Sequence, residues 1–189
     1  MSTIKKDQTE LGGMLGESAS LRKVAGRLVV TNRPKVKMRQ ASEDQLAVQK
    51  KFLKASRYAK GQVDKPEKKA MYETGITSKK KSAFLVALSD SLIAPEVNEI
   101  KTAAYNGAVG DIIKIDATDD FKVMRVAVVI SDSNGAELEQ GDAVQDADYL
   151  ETWRYTALVA NPTVLGSSIS VTAFDFAGNE TLLKKVIVL

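Results

Sequence analysis

The closing stretch of the chain, Ser168–Leu189, limits the fold more than any other segment. Ile169, Val171 and Ala173 alternate with Ser170, Thr172 and Phe174, the period of a strand with one buried face. Asp175-Phe176-Ala177-Gly178-Asn179 follows, rich in residues that tolerate reversal and left-handed backbone angles. Leu182–Leu189 then returns as a second strand. A hairpin with an apolar face needs a facing layer, so the segment before it must be read as the rest of a sheet structure.

That segment complies. Candidate strands are Glu99–Tyr105, Asp111–Ala117, Val123–Ser131, Ala136–Gln140 and Thr152–Val159. Turn clusters separate them at Asn106-Gly107, Asp132-Ser133-Asn134-Gly135, Gly141-Asp142 and Asn161-Pro162. Asn134-Gly135 between Val128-Val129-Ile130 and Glu137-Leu138 is a strong hairpin signal. Short strands at this spacing predict an immunoglobulin-like antiparallel β-sandwich over residues 98–189. Trp153, the one tryptophan, alternates with Tyr155, Ala157 and Val159 and is expected to anchor the core. Two segments are apolar on both faces: Val123–Ser131 and Val186–Leu189. Cover for the second must come from the chain itself or from another subunit.

The front of the chain reads as helical, so the whole is predicted to be α+β. Residues 1–20 are polar, carry Gly12, Gly13 and Gly16, and show no periodicity, which suits a flexible tail. Residues 21–97 form a basic ribbon-plus-helical region. Leu21–Val24 and Arg27–Thr31 predict a β-ribbon turning at Ala25-Gly26 and ending before Pro34. Ser42–Lys60 predicts a helix with a capping box from Ser42 to Gln45 and a stop at Gly61. Its buried stripe is expected at Val48, Phe52, Ala55 and Ala59. Asp64 is expected to cap a second helix with Pro66 in its first turn, Met71 and Tyr72 inward, and Gly75 as its stop. Ser78 or Ser82 opens a third, ending before Pro95 and apolar nearly all round.

Charge divides unevenly along the chain. Residues 1–90 hold 20 Lys/Arg against 9 Asp/Glu, a net +11; residues 91–189 hold 7 against 15, a net −8. This polarity suits an anionic partner for the front half or head-to-tail contact between copies, and lysine-rich solvated helices produce the same imbalance. The cationic candidates for partner or anion binding are Arg22, Lys23, Arg27, Arg33, Lys35, Lys37, Arg39, Lys50, Lys54 and Arg57. On the helix, Lys50, Lys54 and Arg57 share one face, which either grips phosphates or is simply solvated.

Chemistry is thin. The chain has no cysteine and no histidine, which removes thiolates, disulfides, imidazole acid–base work and His/Cys zinc sites. Asp116, Asp119 and Asp120 follow one strand, and Asp175 with Asn179 lies in the last hairpin. Oxygen ligands gathered from several loops are what calcium needs, and Asp and Asn are also ordinary turn formers. No nucleophile-elbow serine or phosphate-cradling glycine loop stands out, nor does the spacing single out a carboxylate pair. The chain is therefore expected not to be an enzyme and to take no cofactor and no small-molecule substrate. No apolar run is long enough to cross a membrane, and no signal peptide is evident. A cytoplasmic place, or one in a virion or other assembled particle, is the corresponding expectation.

Two resemblances add to this. Ile169-Ser-Val-Thr-Ala-Phe-Asp-Phe-Ala-Gly-Asn179 resembles the closing hairpin of bacterial immunoglobulin-like modules, whose penultimate strand often runs into an Asp-x-x-Gly-Asn turn. Over most of its length the chain resembles an uncharacterised bacterial family with a basic helical N-terminal half and a C-terminal bacterial immunoglobulin-like domain. The residues are Val29 to Pro34, the Ser42–Lys60 helix with Gln45 and Phe52, and Ile93-Ala-Pro-Glu96 after a serine-alanine helix. Tyr105, Gly107, Gly110 and Ala117-Thr-Asp-Asp120 complete the pattern. The resemblance implies a layout and no activity. The function expected is that of a structural or interaction protein, self-associating or docking into a larger assembly; the alternative is a nucleic-acid-binding protein using the basic half.

Overall fold

A computed structural model describes residues 13–15, 19–24, 27–32 and 41–188. They fall in two compact units, residues 1–42 and residues 43–189. In the first, β1 (Gly13–Leu15), β2 (Ala19–Val24) and β3 (Arg27–Asn32) form an antiparallel sheet in that order. Leu21 faces Val30 across the β2–β3 register, and the Ser20 and Thr31 hydroxyls meet at 3.0 Å. The expected ribbon is present, with a third strand where the sequence reads as an unstructured tail. The proposed turn at Ala25-Gly26 lies outside the described residues.

The second unit begins with three helices. Helix α1 (Glu43–Val63) starts with Glu43 and Asp44 on the positive end of its dipole. It runs through Gly61 instead of stopping there: the position faces open space, where a Cβ would meet nothing within 4 Å, and a glycine inside a helix costs only about 1 kcal/mol. The expected buried stripe is half right. Ala55 and Ala59 are buried, but Val48 and Phe52 are 67% and 53% exposed. All of Glu43–Lys54 is exposed, so the first three turns of α1 extend beyond the packed body.

Helix α2 (Pro66–Glu73) has Pro66 in its first turn as expected. Its N-cap is Lys65, which makes no side-chain cap, so Asp64 does not play that part. Helix α3 (Ala83–Leu92) is capped by Ser82, whose Oγ accepts from the Leu85 amide. Tyr72, Ala59, Ala83, Val86 and Ala87 make a small core, against which Phe121 and Phe176 from the sheet region pack. Gly75 permits this approach, since a Cβ there would sit 2.6 Å from the Phe121 ring.

Eight strands follow: β4 (Glu96–Lys101), β5 (Ile112–Thr118), β6 (Val123–Ser131), β7 (Glu137–Asp142), β8 (Val144–Gln145), β9 (Thr152–Thr156), β10 (Ser168–Asp175) and β11 (Glu180–Val186). They form two four-stranded antiparallel sheets ordered β11-β10-β6-β7 and β4-β5-β9-β8. Ile113, Ile115, Trp153 and Tyr155 of one sheet share a core with Val126, Val128, Ile130, Ile169 and Val171 of the other. The unit is therefore α+β, with a sandwich of two antiparallel layers.

Trp153 is buried as expected; Val159 lies beyond β9 and is exposed. Ile130–Glu139 and Val171–Leu183 fix the hairpin registers. Gly135 (φ 86°) and Gly178 (φ 90°) supply the left-handed turn positions. Asp132 Oδ1 accepts from the Asn134 and Ala136 amides, and Asp175 Oδ1 from the Asn179 amide. Strand β4 lies earlier than the expected Glu99–Tyr105, and β8 was not foreseen. On β6, Val126, Val128 and Ile130 are buried, while Met124 is exposed and Val123 buried. The register shift between Phe174 and Asp175, which pairs Asp175 with Val123, accounts for that reversal.

Candidate functional site

Three places are candidates for a functional site: the cationic face of α1, the β11 edge of the sandwich, and the junction between helices and hairpin.

Lys50, Lys54 and Arg57 are exposed on one face of α1, and none forms a salt bridge with a described residue. Leu46 and Leu53, also exposed, flank them at helical spacing. Arg27 is exposed on β3. Arg22 and Lys23 lie on β2, where side chains are not described, and Arg33, Lys35, Lys37 and Arg39 lie outside the described residues. The structure thus brings together three of the ten cationic candidates.

The acidic candidates are dispersed among local tasks. Asp119 Oδ2 accepts from the Phe121 and Lys122 amides, and Asp120 bonds Lys80 and Ser89. Asp116 bonds Lys101 and Thr152, on the outer face of its sheet. Asp175 is held by Asn179 through both carboxylate oxygens. Among the described residues no three acidic groups are placed to hold a metal ion. Burial, opposing the hydrogen bonds of Ser89 and Lys80, is outweighed at Asp120, whose carboxyl is held below the usual range.

Among the described residues strand β11 has a hydrogen-bonded strand neighbour on one side only, β10. Its residues alternate: Leu183 turns toward the core, while Leu182 (64% exposed) and Val186 (50%) face outward with Val188 (77%) just beyond. The two-sided apolar end expected from the sequence is thus covered on one face and bare on the other. Val48 and Phe52 on α1 are a second bare apolar surface.

The junction was missed by sequence reasoning. Tyr58 of α1 and Tyr72 of α2 share a hydrogen bond of 2.9 Å between hydroxyls. Tyr72 donates in turn to Asp90 Oδ2 of α3 at 2.6 Å. Asp90 is fully buried, and its Oδ1 has no partner among the described residues. Asn179 of the β10–β11 turn donates to the Asp90 backbone carbonyl at 2.8 Å and to Asp175 Oδ2 at 2.6 Å. Phe121 and Phe176 flank the Tyr72 ring, with centroids at 5.1 and 5.2 Å. Burial pushes the Asp90 carboxyl up to about 7; the Tyr72 bond opposes this, and the carboxylates of Asp175, Asp119 and Asp120 add to it. Burial likewise raises Tyr58, Tyr72 and Asp175. One signal was available: Asp90 is the only charged residue in the run Ala83–Ile93, whose other polar residues are Ser89 and Ser91.

A pocket of about 290 Å3 opens beside Asp119, Phe121, Lys122, Leu150 and Glu151. No helix is long and apolar enough to cross a membrane, among the described residues. No protein-family model matches the chain, and no curated protein matches it. Among solved structures the chain is similar to CopC from Methylosinus trichosporium OB3b, with 16% identity and a TM-score of 0.36, over 48% of this chain and 87% of that one.

Proposed function

We propose that the chain is a non-enzymatic structural or interaction protein that associates with copies of itself through the β11 edge of an immunoglobulin-like sandwich. The strand order supports the fold assignment: β4-β5-β9-β8 against β11-β10-β6-β7 corresponds to an A-B-E-D sheet facing G-F-C with one added strand. One observation carries the functional reading. Strand β11 is an edge strand whose outer face bears exposed Leu182, Val186 and Val188. The outer row alternates charge and apolar side chains, Glu180 and Lys184 with Leu182 and Val186, and on the inner face Lys185 donates to the Ile100 carbonyl of β4 at 2.6 Å, so the charges mark the strand as a managed edge while the apolar pair and Val188 stay bare. A second strand added where β4 does not lie against β11 gains backbone hydrogen bonds and packs its own side chains beside the outer apolar row.

The test is sedimentation velocity on the full chain and on a Leu182→Asp, Val186→Lys double variant. Both sites are half exposed or more, so the monomer should lose no more than about 0.5 kcal/mol of stability. The wild type should show larger species with rising concentration and the variant a single small one. Equal association of the two would rule out this edge as the contact.

A second reading rests on Lys50, Lys54 and Arg57, exposed and without an ion pair among the described residues: the α1 face binds nucleic-acid phosphates. Fluorescence anisotropy with labelled duplex DNA and RNA oligomers tests it. Three neutralised phosphates on duplex DNA give a log–log salt slope of about −2.7. No binding to either nucleic acid at low salt removes the reading.

A further inference from the structure

Asp90 joins elements that are far apart in the sequence. Its carboxyl receives the Tyr72 hydroxyl of α2, which is bonded to Tyr58 of α1, and its backbone carbonyl receives Asn179 of the β10–β11 turn. The three helices and the sandwich therefore meet at one residue that is fully buried. The carboxyl is under-satisfied: Oδ1 has no partner among the described residues, and no cation bonds either oxygen.

Every packed element presents its charges here. Asp175 comes from the hairpin, and Asp119 and Asp120 come from the β5–β6 loop. Tyr58 and Tyr72 come from α1 and α2. Of the lysines that bond these groups, Lys80 holds Asp120, and the Lys68 ammonium lies over the Phe176 ring at 4.3 Å. An ionised Asp90 would be a buried charge held by one hydroxyl and, among the described residues, by no cation, facing three other carboxylates. A neutral Asp90 keeps the tyrosine chain without that penalty.

We propose that Asp90 is a proton-operated latch: when its carboxyl is protonated, the helices stay docked on the β10–β11 hairpin, and when it ionises they open from the sandwich.

The direction follows from linkage. A buried acid that holds its proton more tightly when docked makes docking strongest in acid. Docking weakens as pH rises from the ordinary carboxylate range, about 4, toward neutrality, and becomes constant above it. The effect of one such group approaches tenfold in the opening constant per pH unit across that window.

Hydrogen-exchange protection factors, corrected for the intrinsic pH dependence of exchange, read this directly. They are compared for residues 43–92 and for β6 (Val123–Ser131) between pH 5 and 8.5. In the wild type the opening constant of the helices should rise up to about tenfold per unit between pH 5 and 7 and then level off, with β6 unchanged. Asp90→Asn should flatten the slope, leaving only what the raised carboxyl of Asp175 contributes. Asp175→Asn, which deletes a facing carboxylate, should move the midpoint to lower pH, and it decides the matter should Asp90→Asn fail to fold. A pH-independent wild type, an equal slope in Asp90→Asn, β6 opening in step with the helices, or an unmoved midpoint in Asp175→Asn would each overturn the latch.

Discussion

Tyr72→Phe isolates the tyrosine chain at the junction. The ring is fully buried between Phe121 and Phe176, and phenylalanine preserves both aromatic contacts. Only the hydroxyl is lost, and with it bonds of 2.6 Å to Asp90 and 2.9 Å to Tyr58. The second loss is small, about 0.5 kcal/mol, because Tyr58 is partly exposed and finds water instead. The first is larger, because Asp90 is left with no bonded carboxyl oxygen; an unsatisfied buried acceptor costs about 1–3 kcal/mol. The total is about 1.5–3.5 kcal/mol at pH 5, where Asp90 is neutral. At pH 8 Asp90 is ionised, the lost bond is charge-assisted and about twice as strong, and the cost rises to about 3–5 kcal/mol. The sign is set by linkage: the Tyr72 bond lowers the Asp90 pKa, so losing it raises that pKa further and extends the fall in stability to higher pH. Urea unfolding of wild type, Tyr72→Phe and Tyr58→Phe at pH 5 and pH 8 provides the numbers. A Tyr72→Phe cost below about 0.5 kcal/mol at both pH values, or the same cost at each, would refute the reasoning.

Other outcomes follow from single contacts. Gly107→Ala places a Cβ 2.3 Å from the Asn161 carbonyl oxygen at φ 87°, so thermal unfolding should show a loss of several kcal/mol, roughly 3 or more. Glu139→Ala removes the carboxylate that accepts the Leu158 and Val159 amides inside the sandwich; chemical denaturation should give a loss of about 2–4 kcal/mol. Val48→Ser with Phe52→Ser, on the exposed turns of α1, should change the unfolding free energy by less than about 0.5 kcal/mol, and a loss above about 2 would mean these turns are packed.

Legibility tracked how local the physics was. Ile169, Val171 and Ala173 announce β10 by alternation, and Asp175 with Asn179 announces its turn, because both depend on neighbours in sequence. β6 is bounded as expected at Val123 and Ser131 for the same reason. Val48 and Phe52 share helical spacing with Ala55 and Ala59, and spacing alone does not say where along α1 the packing partner ends. Gly61 failed as a stop because a glycine in an open helix end is tolerated. Strand β8, two residues long, is too short to show a period. Asp119 and Asp120 read as potential ligands by type, while the nearby amides, Lys80 and Ser89 that occupy them are set by the fold. The Asp90–Asn179 tie spans 89 positions, so Asn179 was legible as a turn residue and invisible as a clasp on α3.

Self-association is the claim on which the functional account stands, and light scattering on chromatographically separated full chain measures it most directly. Run over a hundredfold concentration range at low and high salt, it should give a mass that climbs above that of one chain as concentration rises. The climb should persist in high salt, because the β11 contact is apolar and main-chain rather than ionic. A single-chain mass at every concentration and salt would contradict the account.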